Sequence, residues 1–283
     1  MSATILEGPA VAEAISEDVM NRVTALAAQG VTPCLGILRV GERPDDLSYE
    51  RGACKRAEVT GIAVRHLVFD EGVTTEELVE AVEAINADDS VHGLLILRPL
   101  PAHIDEERVC NALAAYKDVD ACGERSLGTL FTGADGAFAP CTAQACIEVL
   151  DHYGIEIAGR RVLVIGRSLV IGKPVAMLLL ERNATVTIAH SRTADLEELA
   201  REVNIIVACV GHAAMVGADH VAPGQTLIDV GINVADDGSL VGDIAFDEVV
   251  DVVDAITPVP RGVGSVTTCV LCKHVVQAAE MMM

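Results

Sequence analysis

Aromatic residues are scarce in this sequence: three tyrosines, four phenylalanines and no tryptophan make up only 2% of 283 residues. Any core must therefore be built from Val, Ile, Leu and Ala, and a hydrophobic content of 51% supplies enough of them to exclude a disordered chain. Aliphatic runs of this kind suit the buried strands of a mostly parallel sheet. No apolar run approaches the ~18–20 residues that a membrane-spanning helix needs, and Met1-Ser2-Ala3-Thr4 opens neither a basic nor an apolar leader. A soluble, cytoplasmic protein with no membrane partner is the expectation. Basic residues are the second shortage, 20 against 42 acidic ones, for a net charge of −22. A field of that sign repels phosphate backbones and argues against nucleic acid as a partner. A solvated acidic surface accounts for it, and adaptation to high salt stays open.

The cysteines lack a pairing pattern. There are nine of them, an odd number, scattered through apolar segments, so they are expected as reduced, mostly core thiols. Cys269-x-x-Cys272 has no second pair at metal-finger spacing, and no metal site is expected. The length lies near the ~250–300 residues at which single cores stop growing, which points to two lobes.

Apolar runs alternate with amphipathic segments, the signature of βα units. Helices are expected over residues 9–30, from the turn at 41–46 to about 60, and after the capping box Thr74-Thr75-Glu76-Glu77. Strands are expected over 34–40, 62–69 and 92–97. The last runs into Arg98-Pro99-Leu100-Pro101, where two prolines forbid a regular ladder and set a rigid loop. The Gly-rich, weakly patterned stretch 123–136 is the expected linker. Beyond it, helices are expected over 142–153 and 172–182, and strands over 161–165, 185–189, 204–209 and 226–230.

The most informative chemistry follows the strand at 161–165, in Gly166-Arg167-Ser168-Leu169-Val170-Ile171-Gly172-Lys173-Pro174. A strand, a glycine turn, a second glycine and a helix aim free backbone N–H groups and a helix dipole at an anion. The spacing is Gly-x-Ser-x-x-x-Gly rather than the dinucleotide fingerprint, so an ordinary βα turn also fits it. In an NAD-type unit the next strand ends near a carboxylate that binds the ribose hydroxyl. Here it ends His190-Ser191-Arg192-Thr193, a hydroxyl and a guanidinium that suit a ribose phosphate, and Arg167 adds a second cation. NADP is therefore expected ahead of NAD.

These segments, with Ile228-Asp229-Val230-Gly231-Ile232-Asn233, Thr257-Pro258-Val259-Pro260-Arg261-Gly262-Val263-Gly264, Lys117-Asp118-Val119-Asp120 and Pro140-Cys141-Thr142, resemble the bifunctional methylenetetrahydrofolate dehydrogenase/methenyltetrahydrofolate cyclohydrolase family. The resemblance spans nearly the whole chain in the right order. It implies a two-domain α/β fold: a folate lobe over 1–138, a Rossmann-type NAD(P)-binding lobe over 139–264, a cleft between them, and a carboxyl-terminal helix over 265–283 packing back on the first lobe. A homodimer is implied as well. For the coenzyme it implies Gly166, Arg167, Ser168, Ile171, Gly172, Pro174, His190, Ser191, Arg192, Val210, Gly211, Gly231, Ile232, Asn233 and Thr267. For the folate substrate it implies Tyr49, Leu97, Pro99, Leu100, Asp120, Pro260, Gly262 and Val263, with Asp120 holding the pterin ring. A carboxylate suits the paired N–H donors of an aminopyrimidinone edge.

The departures from the family pattern are as informative. Its lysine four residues after the tyrosine is credited with the cyclohydrolase step, but four on from Tyr49 stands Ala53. Arg56 shares the tyrosine's helical face about two turns along, roughly 10 Å away, whereas Lys55 points elsewhere. Leu97 and Arg98 stand where the family has Gln-Leu, Arg261-Gly262 and Ser265 replace a glycine pair and a proline, and Ala143 and Ala145 interrupt its Pro-Cys-Thr-Pro-x-Gly segment. Tyr49, Asp120, Arg98 and Arg56 are the candidate catalytic residues. Hydride removal from a carbon flanked by two nitrogens needs no protein base, whereas opening the methenyl ring moves protons and gains about 10²–10⁴-fold from a positioned lysine or amide. The expectation is an NADP-dependent dehydrogenase with weak or absent cyclohydrolase. The alternatives are full bifunctionality through a substitute cation, a non-catalytic folate- or nucleotide-binding protein, and a dehydrogenase of the shikimate type.

Overall fold

The structure is a computed structural model that describes residues 2–235 and 237–283. In chain order come β1 (Thr4–Ile5), α1 (Gly8–Ala27), β2 (Cys34–Val40), α2 (Pro44–Thr60), β3 (Ala63–Phe69), α3 (Thr75–Asn86), β4 (Gly93–Ile96), α4 (Glu106–Ala112), α5 (Glu124–Thr132) and α6 (Cys141–His152). There follow β5 (Arg161–Ile165), α7 (Gly172–Glu181), β6 (Thr185–Ala189), α8 (Leu196–Arg201), β7 (Ile205–Ala208), β8 (Thr226–Asp229), β9 (Asn233–Val234), β10 (Leu240–Val241), α9 (Phe246–Val249), β11 (Ala255–Ile256) and α10 (Thr267–Met281). They form two compact units, one of residues 13–141 with 268–283, the other of residues up to Ala12 with 142–267.

The unit of residues 13–141 and 268–283 is built on a parallel sheet in the order β3-β2-β4. Strand β2 is buried along its whole length, as an aliphatic central strand must be, while β3 is a largely exposed edge. Leu38, Val40, Leu78, Val82, Ile96 and Val109 form much of its core. Helix α2 begins with Pro44 and two acidic residues, which suit a helix amino terminus, and stops at Gly61 in the left-handed region. It is pinned to the sheet by a buried ion pair, Arg39 to Glu50 at 2.8 Å, and the same carboxylate reaches His66 at 2.7 Å. The expected capping box is formed, with the Thr74 hydroxyl accepting from the Glu77 N–H and the Glu77 carboxylate accepting from the Thr74 N–H.

Two corrections arise here. The stretch 123–136, expected as a linker, contains α5: the Asp118 carboxylate accepts from the N–H groups of Cys122 and Gly123 and from the Ser126 hydroxyl, organising a helix start that periodicity does not reveal. The helix stops at Gly133, again left-handed. The division at 138 assigned the chain's first residues to the folate lobe, but β1 pairs in parallel with β11, Thr4 beside Ala255 and Ile5 beside Ile256. Those residues complete the other sheet.

That sheet is parallel and six-stranded, in the order β1-β11-β8-β7-β5-β6. Leu163, Ile165, Ile206, Ala208, Leu227 and Ile256 supply its aliphatic core. The strand order reverses around β5, which lies next to both β6 and β7. Ligand sites of open α/β sheets lie at the carboxyl ends of strands at such a reversal, the end from which the loops beginning at Gly166, His190 and Cys209 emerge. A short antiparallel pair, β9 and β10, stands apart from the sheet.

Candidate functional site

In the first unit the carboxyl end of β4 leads into Arg98-Pro99-Leu100-Pro101, which is tied down from two sides. The Arg43 guanidinium donates to the Pro99 carbonyl at 2.6 Å, and the Leu100 N–H donates to the Glu106 carboxylate at 2.7 Å. Leu97 and Leu100 are buried. The Arg98 guanidinium lies 3.9 Å from Glu106 with its side chain 24% exposed. Burial works against its charge, but Cys122, Cys110, Asp120 and Glu106 together hold it protonated.

Asp120 and Tyr49 come together in this unit. The Cys141 N–H, at the start of α6, donates to Asp120 Oδ1 at 2.8 Å, so the carboxylate caps that helix as well as facing Tyr49. Burial pushes the Asp120 carboxyl up in spite of the Cys141 hydrogen bonds and the Arg98 charge. It pushes the Tyr49 phenol well up too, with Asp120, Cys141 and Cys272 adding to the effect, so the phenol stays a neutral donor. Cys141 also donates through its thiol to the Val119 carbonyl at 3.2 Å. Arg56 lies on different partners, donating to the Ser16 hydroxyl at 3.0 Å. Ala53, where the family's lysine is expected, is completely buried.

In the second unit Gly166 has a left-handed φ of +133°, and a Cβ there would run into the Cys209 carbonyl. A Cβ on Gly172 would meet the Gly166 carbonyl, which is the close helix–strand approach that a phosphate-binding turn needs. The N–H groups of Ile171 and Gly172 are not left free for an anion. They donate to the Ser168 hydroxyl at 3.1 and 3.4 Å, and the Lys173 N–H donates to the Ser168 carbonyl at 3.0 Å. The exposed rim is therefore 167–170, with Pro174 buried behind it. At the end of β6 the His190 N–H donates to the Thr193 hydroxyl at 2.9 Å and the Arg192 N–H to the His190 ring at 3.2 Å, closing a turn whose tip presents Ser191 and Arg192 to solvent. A glycine cradle with no room for side chains and a β6 end without a carboxylate fit a dinucleotide carrying a ribose phosphate.

The remaining candidates of this unit rest on two carboxylates to which the sequence reading assigned no role. Asp243 accepts from the N–H groups of Val210, Gly211 and His212 and from the Asn233 amide. Asp229 accepts from the N–H groups of Gly231, Asp243 and Ile244, and burial pushes its carboxyl up to about 6. Gly231 and Gly242 are the signal that could have exposed this pair, since a Cβ at either would collide with Asp243 or Asp229. Gly231, Ile232, Pro258, Pro260, Gly262 and Val263 line one recess of about 230 Å³. Thr267 is buried at the start of α10. Among the described residues, no three or more His, Cys, Asp or Glu are grouped to hold a metal ion, and no helix is long and apolar enough to cross a membrane.

Comparison with known proteins adds independent findings. Residues 6–120 match the family description "Tetrahydrofolate dehydrogenase/cyclohydrolase, catalytic domain", and residues 140–283 match its NAD(P)-binding domain. The chain is 48% identical over 279 residues to the bifunctional protein FolD of Carboxydothermus hydrogenoformans, covering 98% of this chain and 97% of that one. It is 46% identical over 277 residues to the FolD of Clostridioides difficile, covering 98% and 96%. The crystal structure of the bifunctional FolD of Campylobacter jejuni superposes with a TM-score of 0.97 at 34% identity over 100% of both chains. That of the Trypanosoma brucei FolD, complexed with NADP cofactor and inhibitor, does so with a TM-score of 0.93 at 34% identity, covering 99% of this chain and 98% of that one.

Proposed function

The chain belongs to the tetrahydrofolate dehydrogenase/cyclohydrolase family, and on that premise we propose how its residues divide the work, with Tyr49, Leu97, Pro99, Leu100 and Asp120 serving folate and the glycine turn at Gly166 serving NADP. The protein is an enzyme that oxidises methylenetetrahydrofolate to methenyltetrahydrofolate with NADP. NADP, when bound, supplies the acceptor for the hydride. Gly166 and Gly172 give the coenzyme a close approach, the Ser168 turn shapes the rim, and Ser191, Arg192 and Arg167 meet the ribose phosphate. Asp120 takes the paired donors of the pterin edge, Tyr49 supports the ring, and the loop at Pro99 and Leu100 walls the pocket. No protein base is needed for hydride removal, because the flanking nitrogens of the substrate stabilise the cation and the protein contributes orientation.

Opening the methenyl ring asks more, since water must add to the cation and lose a proton. Ala53 and Leu97, both buried, stand where a lysine and a glutamine would assist, and neither can accept a proton or orient a water. Arg98 keeps its proton at any working pH, so it can stabilise negative charge without acting as a base. We therefore expect ring opening to be slow, with a separate hydrolase consuming the methenyl product. The observation that carries this is a completely buried alanine, Ala53, at the position of the family's lysine, while Arg98 stays charged. A second reading, full bifunctionality with Arg98 as substitute cation, is favoured by the field of Arg98 on Asp120. Family membership also supports a homodimeric, cytoplasmic protein.

One assay tests both readings. Purified protein is mixed with methylenetetrahydrofolate and NADP, and NADPH and methenyl absorbance are followed together. The expected result is NADPH formation with methenyl accumulating and decaying at its uncatalysed rate. Clearance of the methenyl signal in proportion to enzyme would establish the second reading instead.

A further inference from the structure

Strand β8 ends in Asp229, and the chain then leaves the sheet through Gly231, runs out along β9, returns along β10 and comes back through Gly242 to Asp243. The excursion closes on the Asp229 carboxylate. Its Oδ1 accepts from the N–H groups of Gly231 at 3.0 Å and Asp243 at 2.9 Å, and its Oδ2 accepts from the Ile244 N–H at 2.9 Å. From the opposite side the Val216 N–H donates to the Asp243 carbonyl at 3.0 Å, and the Ala214 N–H donates to the Gly242 carbonyl at 3.1 Å. The backbone of Asp243 is therefore fastened through both its N–H and its carbonyl.

The Asp243 side chain is completely buried and uses both oxygens. Oδ2 accepts from the N–H groups of Val210 at 2.6 Å and Gly211 at 3.0 Å, while Oδ1 accepts from the His212 N–H at 2.9 Å and the Asn233 amide at 3.0 Å. Three successive backbone N–H groups aimed at one point form a nest of the kind that holds anions. Here the protein fills the nest from inside, and Gly211 makes the turn possible with a left-handed φ of +68°. The Asn233 amide faces two acceptors, Asp243 and the Val241 carbonyl at 3.5 Å, so its nitrogen lies on this side and its oxygen is turned away. All four donors to the Asp243 side chain lie outside the six-stranded sheet, so the carboxylate shapes loops rather than the core.

We propose that Asp243 is a positioning residue of the coenzyme site, its carboxylate locking residues 210–212 to Asn233 before NADP arrives, with Asp229 acting one step further back by fixing the Asp243 backbone. The inference rests on the coenzyme reading of Val210, Gly211, Gly231 and Asn233. Loops held in their binding shape in advance spare the cost of ordering them when the ligand binds. Asp243→Asn cannot take over this task, because whichever way it turns its NH2 group is set against two N–H donors. Asp229→Asn is milder, since its oxygen can keep the Gly231 and Asp243 N–H groups and lose only that of Ile244.

The full chain and both variants are compared by hydrogen–deuterium exchange without ligand, by calorimetric titration with NADP, and by steady-state kinetics. In Asp243→Asn, amides of 209–213 and 230–234 should exchange about tenfold faster or more while those of β5 are unmoved, and the NADP Kd should rise by about tenfold or more. The NADP KM should rise with it while the methylenetetrahydrofolate KM stays within about threefold, a split that general loosening of the fold would not give. Asp229→Asn should move the same readouts in the same direction by less, and it carries the test where Asp243→Asn does not fold. Unchanged exchange in the two loops, faster exchange with an unchanged NADP Kd, or equal rises in both KM values would overturn the proposal. If NADP binds the unaltered chain without adding protection to either loop, the coenzyme reading of these loops fails instead, and the ligand-free exchange alone judges the clamp.

Discussion

At the scale of single residues, the folate role proposed for Asp120 would set its function against its stability. Burial raises its carboxyl above the ordinary range, so the folded protein holds that proton more tightly than the unfolded chain does. The sign follows: the folded state is favoured by protonation at Asp120, and stability is lost as pH rises past the ordinary carboxylate value toward the raised one. Asp120→Asn keeps an oxygen to accept the Cys141 N–H, so its thermal midpoint at neutral pH should be unchanged or higher. The same substitution should raise the folate KM by about ten- to a hundredfold, the worth of a charged hydrogen bond. In the native enzyme the folate KM should climb on acidification at a higher pH than an ordinary carboxylate would set, and steady-state kinetics across pH would show that inflection vanish in the variant. The carboxylate itself stands out in the sequence, in Lys117-Asp118-Val119-Asp120. The capping of α6 by the same group does not, since the Cys141 N–H that it binds is brought there only by the fold.

At the scale of elements, α2 depends on one buried contact. Arg39 on β2 and Glu50 on α2 pair at 2.8 Å with side chains only about a tenth exposed, at 10% and 11%. Removing one partner of such a pair strands the other, at a cost of about 3–5 kcal/mol. Glu50→Gln retains some hydrogen bonding, so about 3 kcal/mol is expected, read as a lower urea midpoint with an unchanged slope. Because Tyr49 precedes Glu50 on this helix, folate KM should suffer in the same variant. The long aliphatic strands and the capped helix α3 were legible because period and capping are local signals. Helices α4 and α5 escaped notice because each is short: α4 is capped by the Asp105 carboxylate, and α5 starts at Gly123 in a loop that Asp118 holds in place. A weak pattern in sequence reads as a linker until the group that organises it is known.

At the scale of the whole molecule, the net charge of −22 sets how the protein responds to its solvent. Like charges over a folded surface repel one another, and going from about 0.01 to about 1 M salt shortens the screening length from about 30 to about 3 Å. The thermal midpoint should rise steadily over that range of KCl, as differential scanning calorimetry would record. A midpoint indifferent to salt would mean that the acidic residues are already neutralised by local pairs such as Arg22 with Glu280 and Arg65 with Asp88.

The sequence by itself determined the aliphatic parallel sheets, the glycine turn at Gly166, the preference for a ribose phosphate and the family resemblance. Each of these is written in neighbouring residues or in short motifs, so no long-range contact is needed to see it. Tertiary structure alone decided that β1 completes the sheet beside β11, that Asp243 and Asp229 brace the loops around Gly211 and Gly231, and that Arg56 is tied to Ser16. These depend on groups far apart in sequence meeting in a desolvated interior, where one hydrogen bond or one buried charge has an energy that no local pattern encodes.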